Sequence, residues 1–328
     1  MAYSKDVIRA ARQRLEAEKA DRASLSRSRL QEAYEKVPRL QEIDNLLRKS
    51  MAVAALAAFA GEGDPITLME QAKNANLQLQ EERQALVDAY FPAGWLLEGP
   101  VCRKCGGEGY IGSVMCDCLK EYCRQEQVKE VSLLSAGNQT FWNFDLTYYS
   151  DRIDPRFGAS PRSVMEHTLR IARQYAENFS LDSGNLLFIG STGLGKTHLS
   201  AAIAAAAAEK GCSVAYETAS HLFSKLEKHR FNPDEESFRA VEKLNRCDLL
   251  IVDDLGTELP GNFVTSALYT VINDRLLAGK PIVISTNLTI DEISRRYNPQ
   301  IASRLQGSFN RLTFVGEDIR VLKNRGVK

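Results

Sequence analysis

Gly190-Ser191-Thr192-Gly193-Leu194-Gly195-Lys196-Thr197 decides how this chain folds. The stretch is a glycine, four residues and then Gly-Lys-Thr, and its neighbours give that pattern meaning. The apolar run Asn185-Leu186-Leu187-Phe188-Ile189 before it predicts a strand, and the alanine-rich stretch from His198 to Lys210 after it predicts a helix. Backbone N–H groups of such a loop turn inward and, with the helix N-terminus, attract polyphosphate. Lys196 reaches the outer phosphates, the Thr197 hydroxyl holds Mg²⁺, and His198 opens the helix beside them. A ligand-free glycine-rich turn would read the same over eight residues, but the flanking strand and helix favour a nucleoside triphosphate site.

Working outward, short apolar runs recur at Ser213–Glu217, Leu249–Asp253, Ile282–Thr286 and Arg311–Val315, with helical stretches between them. Together with Asn185–Ile189 they predict a parallel five-stranded sheet covered on both faces. Leu249-Leu250-Ile251-Val252-Asp253-Asp254 ends in two carboxylates and, set beside the P-loop strand, has the form of a Walker B motif. Asp253 belongs in the Mg²⁺ shell, while Asp254 orients or deprotonates the attacking water. Asp is one methylene shorter than Glu, so slow hydrolysis is expected; the bland reading is a solvated turn. Asn287, at the tip of the next strand, can sense a γ-phosphate or simply cap the chain end. Arg304 follows a helical stretch containing Arg295 and Arg296, and can act as a finger on a neighbouring subunit or lie in a surface ion pair.

His221 to Phe231 mixes basic and aromatic residues. Lys225, Lys228 and Arg230 suit phosphates and Phe231 suits a base, whereas the alternative is a surface helix with Leu222, Phe223 and Leu226 turned to the core.

Upstream the grammar changes. Cys102-Arg103-Lys104-Cys105, then Cys116-Asp117-Cys118, are two thiol pairs joined by a glycine-rich loop. All four histidines lie far along the chain, so a four-thiolate Zn²⁺ site is favoured over a mixed one, with Cys123 as a substitute ligand. A redox dithiol is the competing reading, but the thioredoxin-type βαβ setting is missing. From Ser4 to Tyr90 the chain is dense in good helix formers. Ile8, Ala11 and Leu15 share helical spacing, as do Leu30, Tyr34 and Val37. Pro38 separates two helices, and Asp64 with Pro65 opens a third carrying Leu68, Ala72, Ala75, Leu79, Leu86 and Tyr90 on one side. This predicts a helical hairpin or short coiled coil, either a structural arm or, given its thin alanine-rich stripe, a partner-binding one. The organisation expected is therefore 1–95 helical arm, 96–130 Cys module and 131–328 ATPase domain.

The 328 residues carry 42 basic and 42 acidic side chains, so any nucleic-acid contact needs a local patch. Met51 to Ala60 is too short to span a bilayer, which takes about 20 residues. No secretory leader is visible, and seven clustered or scattered cysteines suit a reducing compartment. These features point to the cytoplasm.

The ordered set of Gly190–Thr197, Leu249–Asp254, Ser285-Thr286-Asn287 and Ser303-Arg304-Leu305, with Phe141-Trp142-Asn143-Phe144 ahead of it, resembles the DnaC-type family of AAA+ ATPases. That family includes helicase loaders of the DnaC and DnaI kinds and IstB transposition ATPases. The resemblance spans roughly Thr140 to Lys328. It implies an AAA+ core without a C-terminal lid, Asn287 as sensor 1, Arg304 as a finger between subunits and Arg320 as a sensor 2-like residue. It also implies self-association through the ATPase domain and single-stranded DNA binding by a helix near His221–Phe231. Asp254 departs from the commoner Glu of AAA+ proteins. The layout of arm, Cys cluster and ATPase matches that of loaders which grip a hexameric replicative DNA helicase. An IstB-like helper on duplex DNA and a weakly hydrolysing ATP-gated adaptor are the alternatives.

Overall fold

The computed structural model describes residues 3–60, 65–96, 99–134, 139–156 and 158–325. The chain packs as two units, Gln13–Cys118 and Met1–Arg12 with Leu119–Lys328. Among the described residues no helix is long and apolar enough to cross a membrane.

Three long helices open the chain: α1 (Lys5–Lys36), α2 (Pro38–Ala60) and α3 (Pro65–Tyr90). Helix α1 stops one residue short of Val37 because a residue before proline is pushed out of helical geometry, and Pro38 then occupies the first position of α2. Arg39 pairs with Glu82, Asp44 with Arg83 and Ser50 with Asn76. One partner number rises while the other stays high and then falls, so α2 and α3 form an antiparallel hairpin. At its base Ala33, Val37, Leu40 and Phe91 form a small core, with Trp95 stacked on Phe91 at 4.6 Å. Leu79 and Leu86 are half-buried as expected, but Ala75 and Tyr90 are exposed; Val87 and Phe91 take the inward positions instead. The Asp64 cap and the side chains of Leu68 and Ala72 lie outside the described residues. A two-strand hairpin, β1 (Tyr110–Ile111) with β2 (Val114–Met115), turns at Gly112-Ser113 and closes this unit.

In the other unit, α4 (Asp117–Leu134, counted from Leu119) and α5 (Pro161–Glu177) precede β3 (Asn185–Ile189). Then come α6 (Lys196–Glu209), β4 (Val214–Thr218), α7 (Ala219–Phe231), α8 (Glu235–Arg246), β5 (Leu249–Leu255), α9 (Asn262–Leu277) and β6 (Ile282–Thr286). The unit ends with α10 (Ile290–Arg296), α11 (Pro299–Ser308), β7 (Phe309–Thr313) and α12 (Ile319–Asn324). The five strands β3 to β7 form a parallel sheet in the order β4-β5-β6-β3-β7. Strand residues alternate between two cores. Leu186 and Phe188 face Met165, Ala172, Leu199 and Ile203, whereas Leu187 faces Leu222, Phe223, Ile272 and Ile301. This is the expected α/β sheet between helical layers.

Two expectations change. The Walker B strand β5 is not beside the P-loop strand β3, because β6 lies between them. All five β6 residues are buried, as a central strand requires. The last strand runs Phe309–Thr313 rather than Arg311–Val315. Phe309 pairs with Asn185, while Phe314 leaves the strand and its N–H donates to Ile189 O at 2.7 Å.

Candidate nucleotide site

The loop Gly190 to Gly195 joins the end of β3 to the start of α6. Gly193 and Gly195 have φ of +74° and +85°, a left-handed region that side chains with a Cβ enter only at a cost. A Cβ on Gly195 would also lie 2.7 Å from the Phe144 ring. Helix α6 starts without a side-chain cap, leaving its first N–H groups for a ligand. Lys196 is buried, and its Nζ donates to Gly190 O and Ser191 O, each at 2.7 Å. Burial lowers the pKa of this ammonium, and the nearby carboxylates Asp254 and Asp253 oppose the shift. Lys196 and the Walker B pair therefore share one site. Thr197 and His198 follow on the first turn, where His198 Nε2 lies 2.8 Å from Thr140 O.

Asp253 is 2 % exposed and both its oxygens are occupied. Tyr216 Oη on β4 donates to Oδ2 at 2.8 Å, and Ser285 Oγ on β6 donates to Oδ1. The Asp254 N–H in turn donates to Ser285 Oγ at 2.9 Å. Asp254 adopts φ +56°, the one non-glycine residue with positive φ among the described residues. Partial burial of the carboxyl and the charge of Asp253 push its pKa up, against the pull of Lys196 and Arg320. A non-glycine residue held in a left-handed conformation is strained, a common mark of working sites. Asn287 sits exposed just beyond β6, and a Cβ on Gly256 would approach its Oδ1 to 3.3 Å, so the strand tip faces the loop after β5. Glu258 on that loop is buried and accepts from Gly256 N–H, Arg296 and the Tyr297 hydroxyl, tying the loop to α10.

Two further segments border the site, and the sequence marked them only through the resemblance, at Arg320 and Phe141–Phe144. After β7 the chain turns back along the P-loop. Ile319 N–H donates to Gly193 O at 3.1 Å, and Asp318, which caps α12 through Arg320 N–H, packs against Gly193. Arg320 is thereby brought close enough for its charge to act on Lys196 and Asp254. On the other side Phe144 meets His198 edge-on at 5.2 Å, and Tyr149 Oη donates to Leu194 O at 3.0 Å. Tyr149 also borders a cavity of about 630 Å³, lined among others by Tyr148, Ile153, Pro161 and Gly316. Its volume and mixed lining suit a small organic ligand. The sequence signal for it was the aromatic density of Phe141 to Tyr149.

Other candidates lie elsewhere. Arg304 stacks over the Tyr269 ring at 4.4 Å and donates to Tyr269 Oη and Asn273 Oδ1, so it is held on α9. On α7, Leu222 and Phe223 are buried and Leu226 packs on the same core. Lys225 bonds Glu217 at 2.5 Å, and Lys228 bonds Asp234 and Glu236 at 2.9 and 2.8 Å. Arg230 instead lies over the rings of Phe231 and Phe263, giving an exposed cation–aromatic platform.

In the unit Gln13–Cys118, Cys102, Cys105, Cys116 and Cys118 have all their sulfurs within 4.8 Å of one another. Tetrahedral metal–sulfur bonds of about 2.3 Å require S···S edges of about 3.8 Å. Here Cys102–Cys116 is 3.9 Å and Cys105–Cys118 is 3.5 Å, so the four thiols fit a metal ion with little movement. Cys123 is not part of the group. Burial opposes a Cys105 thiolate, but N–H groups of Gly109 and Gly107 and the neighbouring thiols outweigh it and lower its pKa to about 6.

Residues 165–321 match the family described as IstB-like ATP binding protein. The replicative helicase loader DnaC of Escherichia coli (strain K12) is 25% identical over 140 residues, 43% of this chain and 57% of its own length. An insertion sequence ATP-binding protein of Sinorhizobium fredii (strain NBRC 101917 / NGR234) is 33% identical over 139 residues, 42% of this chain and 45% of its own length. This chain thus spans about half the length of the curated relatives it matches. Among solved structures, the crystal structure of the DnaC helicase loader aligns at 22% identity and a TM-score of 0.44, covering 53% of this chain and 98% of that one.

Proposed function

We propose, from the premise that residues 165–321 belong to a DnaC/IstB-like family of ATP-binding proteins, that this chain is an ATPase that loads a replicative DNA helicase onto single-stranded DNA. The observation that carries the nucleotide reading is the glycine-rich loop itself, with Gly193 and Gly195 left-handed, Lys196 Nζ on the Gly190 and Ser191 carbonyls and Ile319 on Gly193 O, and with Asp253, Asp254 and Arg320 near enough for their charges to act on Lys196. Likeness to a replicative helicase loader supports the loading role.

In this reading the ATP phosphates lie on the N–H groups of Gly190 to Thr197, and Lys196 leaves the loop carbonyls for the outer phosphates. The base enters the cavity beside Tyr149. Thr197 and Asp253 offer hard oxygen ligands suited to Mg²⁺, which when bound neutralises phosphate charge. Asp254 orients or deprotonates the attacking water, Asn287 senses the γ-phosphate, and Arg320 adds positive charge at the phosphates. Arg304 leaves Tyr269 and reaches the nucleotide of a neighbouring protomer, so assembly and hydrolysis are coupled. Single-stranded DNA runs over Arg230 and Phe231, with Phe263 added to the platform and Lys225 and Lys228 contributing only when released from their acidic partners. The organisation is a helicase-gripping arm (1–95), a Zn²⁺ module on the four thiols (96–130) and an ATPase domain (131–328) acting in the cytoplasm.

Native mass spectrometry of the full chain with the hexameric replicative helicase of its host, with ATP, ADP or no nucleotide, tests this. A nucleotide-sensitive complex that disappears when residues before Phe91 are deleted is the expected result. The match to an insertion sequence ATP-binding protein favours a second reading, an IstB-like transposition helper. Lack of any helicase complex, with ATP-dependent assembly on duplex DNA, would replace the first reading by the second.

A further inference from the structure

The carboxylate of Asp253 is gripped from both neighbouring strands. Tyr216 stands on β4, where Thr218 is the register partner of Asp253, and its side chain reaches diagonally forward to Oδ2. Ser285 on β6 holds Oδ1 and also takes the N–H of Asp254. Tyr216 is 3 % exposed and Ser285 fully buried. Among the described residues Asp253 is the hydrogen-bond partner of the Tyr216 hydroxyl. A phenylalanine would fill the same space without a polar atom to satisfy, and burying a hydroxyl is costly unless it is hydrogen-bonded. The hydroxyl therefore needs a reason beyond packing.

The geometry points to one: Tyr216 is a positioning residue that, with Ser285, fixes the Asp253 carboxylate in the orientation in which it meets Mg²⁺, and so sets the Mg²⁺ requirement of nucleotide binding. With each oxygen already accepting one hydroxyl, the carboxylate cannot rotate about its Cβ–Cγ bond without breaking two hydrogen bonds. Each oxygen keeps a lone pair free for a metal, in an orientation that the two hydroxyls hold fixed. Groups in this position around a metal-binding carboxylate commonly change metal affinity by about 10–100-fold when lost. The inference rests on the proposed nucleotide site, and no motif in the sequence marks Tyr216.

The test uses the full chain and a fluorescent ATP analogue, titrated first in EDTA and then at fixed analogue against Mg²⁺. In Tyr216→Phe the metal-free affinity should move less than about twofold, while the Mg²⁺ concentration for half-maximal tightening rises about tenfold. Mn²⁺, which binds such ligands more tightly, should recover part of the loss. Ser285→Ala removes the other donor and should raise the same Mg²⁺ midpoint, with circular dichroism confirming that both variants are folded. An unchanged Mg²⁺ midpoint in folded Tyr216→Phe overturns the inference and leaves the nucleotide site standing. Equal weakening with and without metal also overturns it, because Tyr216 would then serve only the fold. Failure of the unaltered chain to bind the analogue at all overturns the nucleotide site and this inference with it.

Discussion

Gly193→Ala tests how the segment after β7 completes the P-loop. A Cβ at this position would lie 2.0 Å from Asp318 Oδ1, so the carboxylate must leave. Three losses follow. An alanine held at φ +74° costs about 1 kcal/mol. The α12 cap made by Asp318 on Arg320 N–H is lost, about 1 kcal/mol. The Ile319 N–H to Gly193 O bond goes as well, about 1 kcal/mol. The single variant should therefore lose about 3 kcal/mol, and Asp318→Ala alone about 1 kcal/mol. In the double variant the clash is gone, the cap is lost only once and the Ile319 bond can re-form. Its loss should be about 2 kcal/mol rather than the additive 4 or so. Urea unfolding of the full chain followed by circular dichroism measures all three. Additive losses, within about 0.5 kcal/mol, would refute the reasoning, because Gly193 and Asp318 would then act independently.

Lys196 predicts a pH dependence. Its folded pKa is depressed by burial, below an unfolded value of about 10.4. Between those two values the unfolded chain binds more protons, so nucleotide-free stability rises with pH across that window, and Lys196→Met should flatten the rise in urea midpoints. The four thiols predict a single Zn²⁺ per chain by elemental analysis of reduced protein. Structural zinc binds with about 10–16 kcal/mol, so it should survive gel filtration, whereas Cys105→Ser protein should lose it.

The candidate nucleotide site was largely legible because the chemistry it suits demands residue types at fixed local spacing. Gly190 to Thr197 and the acids at 253 and 254 lie within single turns of chain, so adjacency in sequence is adjacency in space. Strands were legible for the same reason: buried runs such as Ile282 to Thr286 have no other home than a covered sheet. What sequence could not reveal were relations between elements. Nothing local in Leu249 to Asp254 says that β6 intervenes before β3, nor that Tyr216 reaches Asp253 across the sheet. Lys225 and Lys228 look available for phosphate in a list of charges, yet Glu217, Asp234 and Glu236 are delivered to them by folding. Arg320 was placed by family resemblance, but its route to the site, through Asp318 against Gly193, depends on a glycine's missing side chain.

That route has a temporal side. A ribosome makes the P-loop long before it makes Phe309 to Arg320, and N-terminal parts of a chain are free to fold first. Yet β7 is the neighbour that pairs with β3 on its outer side, Phe314 anchors the end of β3 and Ile319 the middle of the loop. Closing such a distant contact is entropically slow compared with local turns. Gly190 to Thr197 therefore waits, unfinished, while the hundred or so residues up to Phe309 are made, and completion of the loop arrives among the last events of maturation. A nascent or truncated chain ending before Phe314 carries the whole motif in writing and lacks the site.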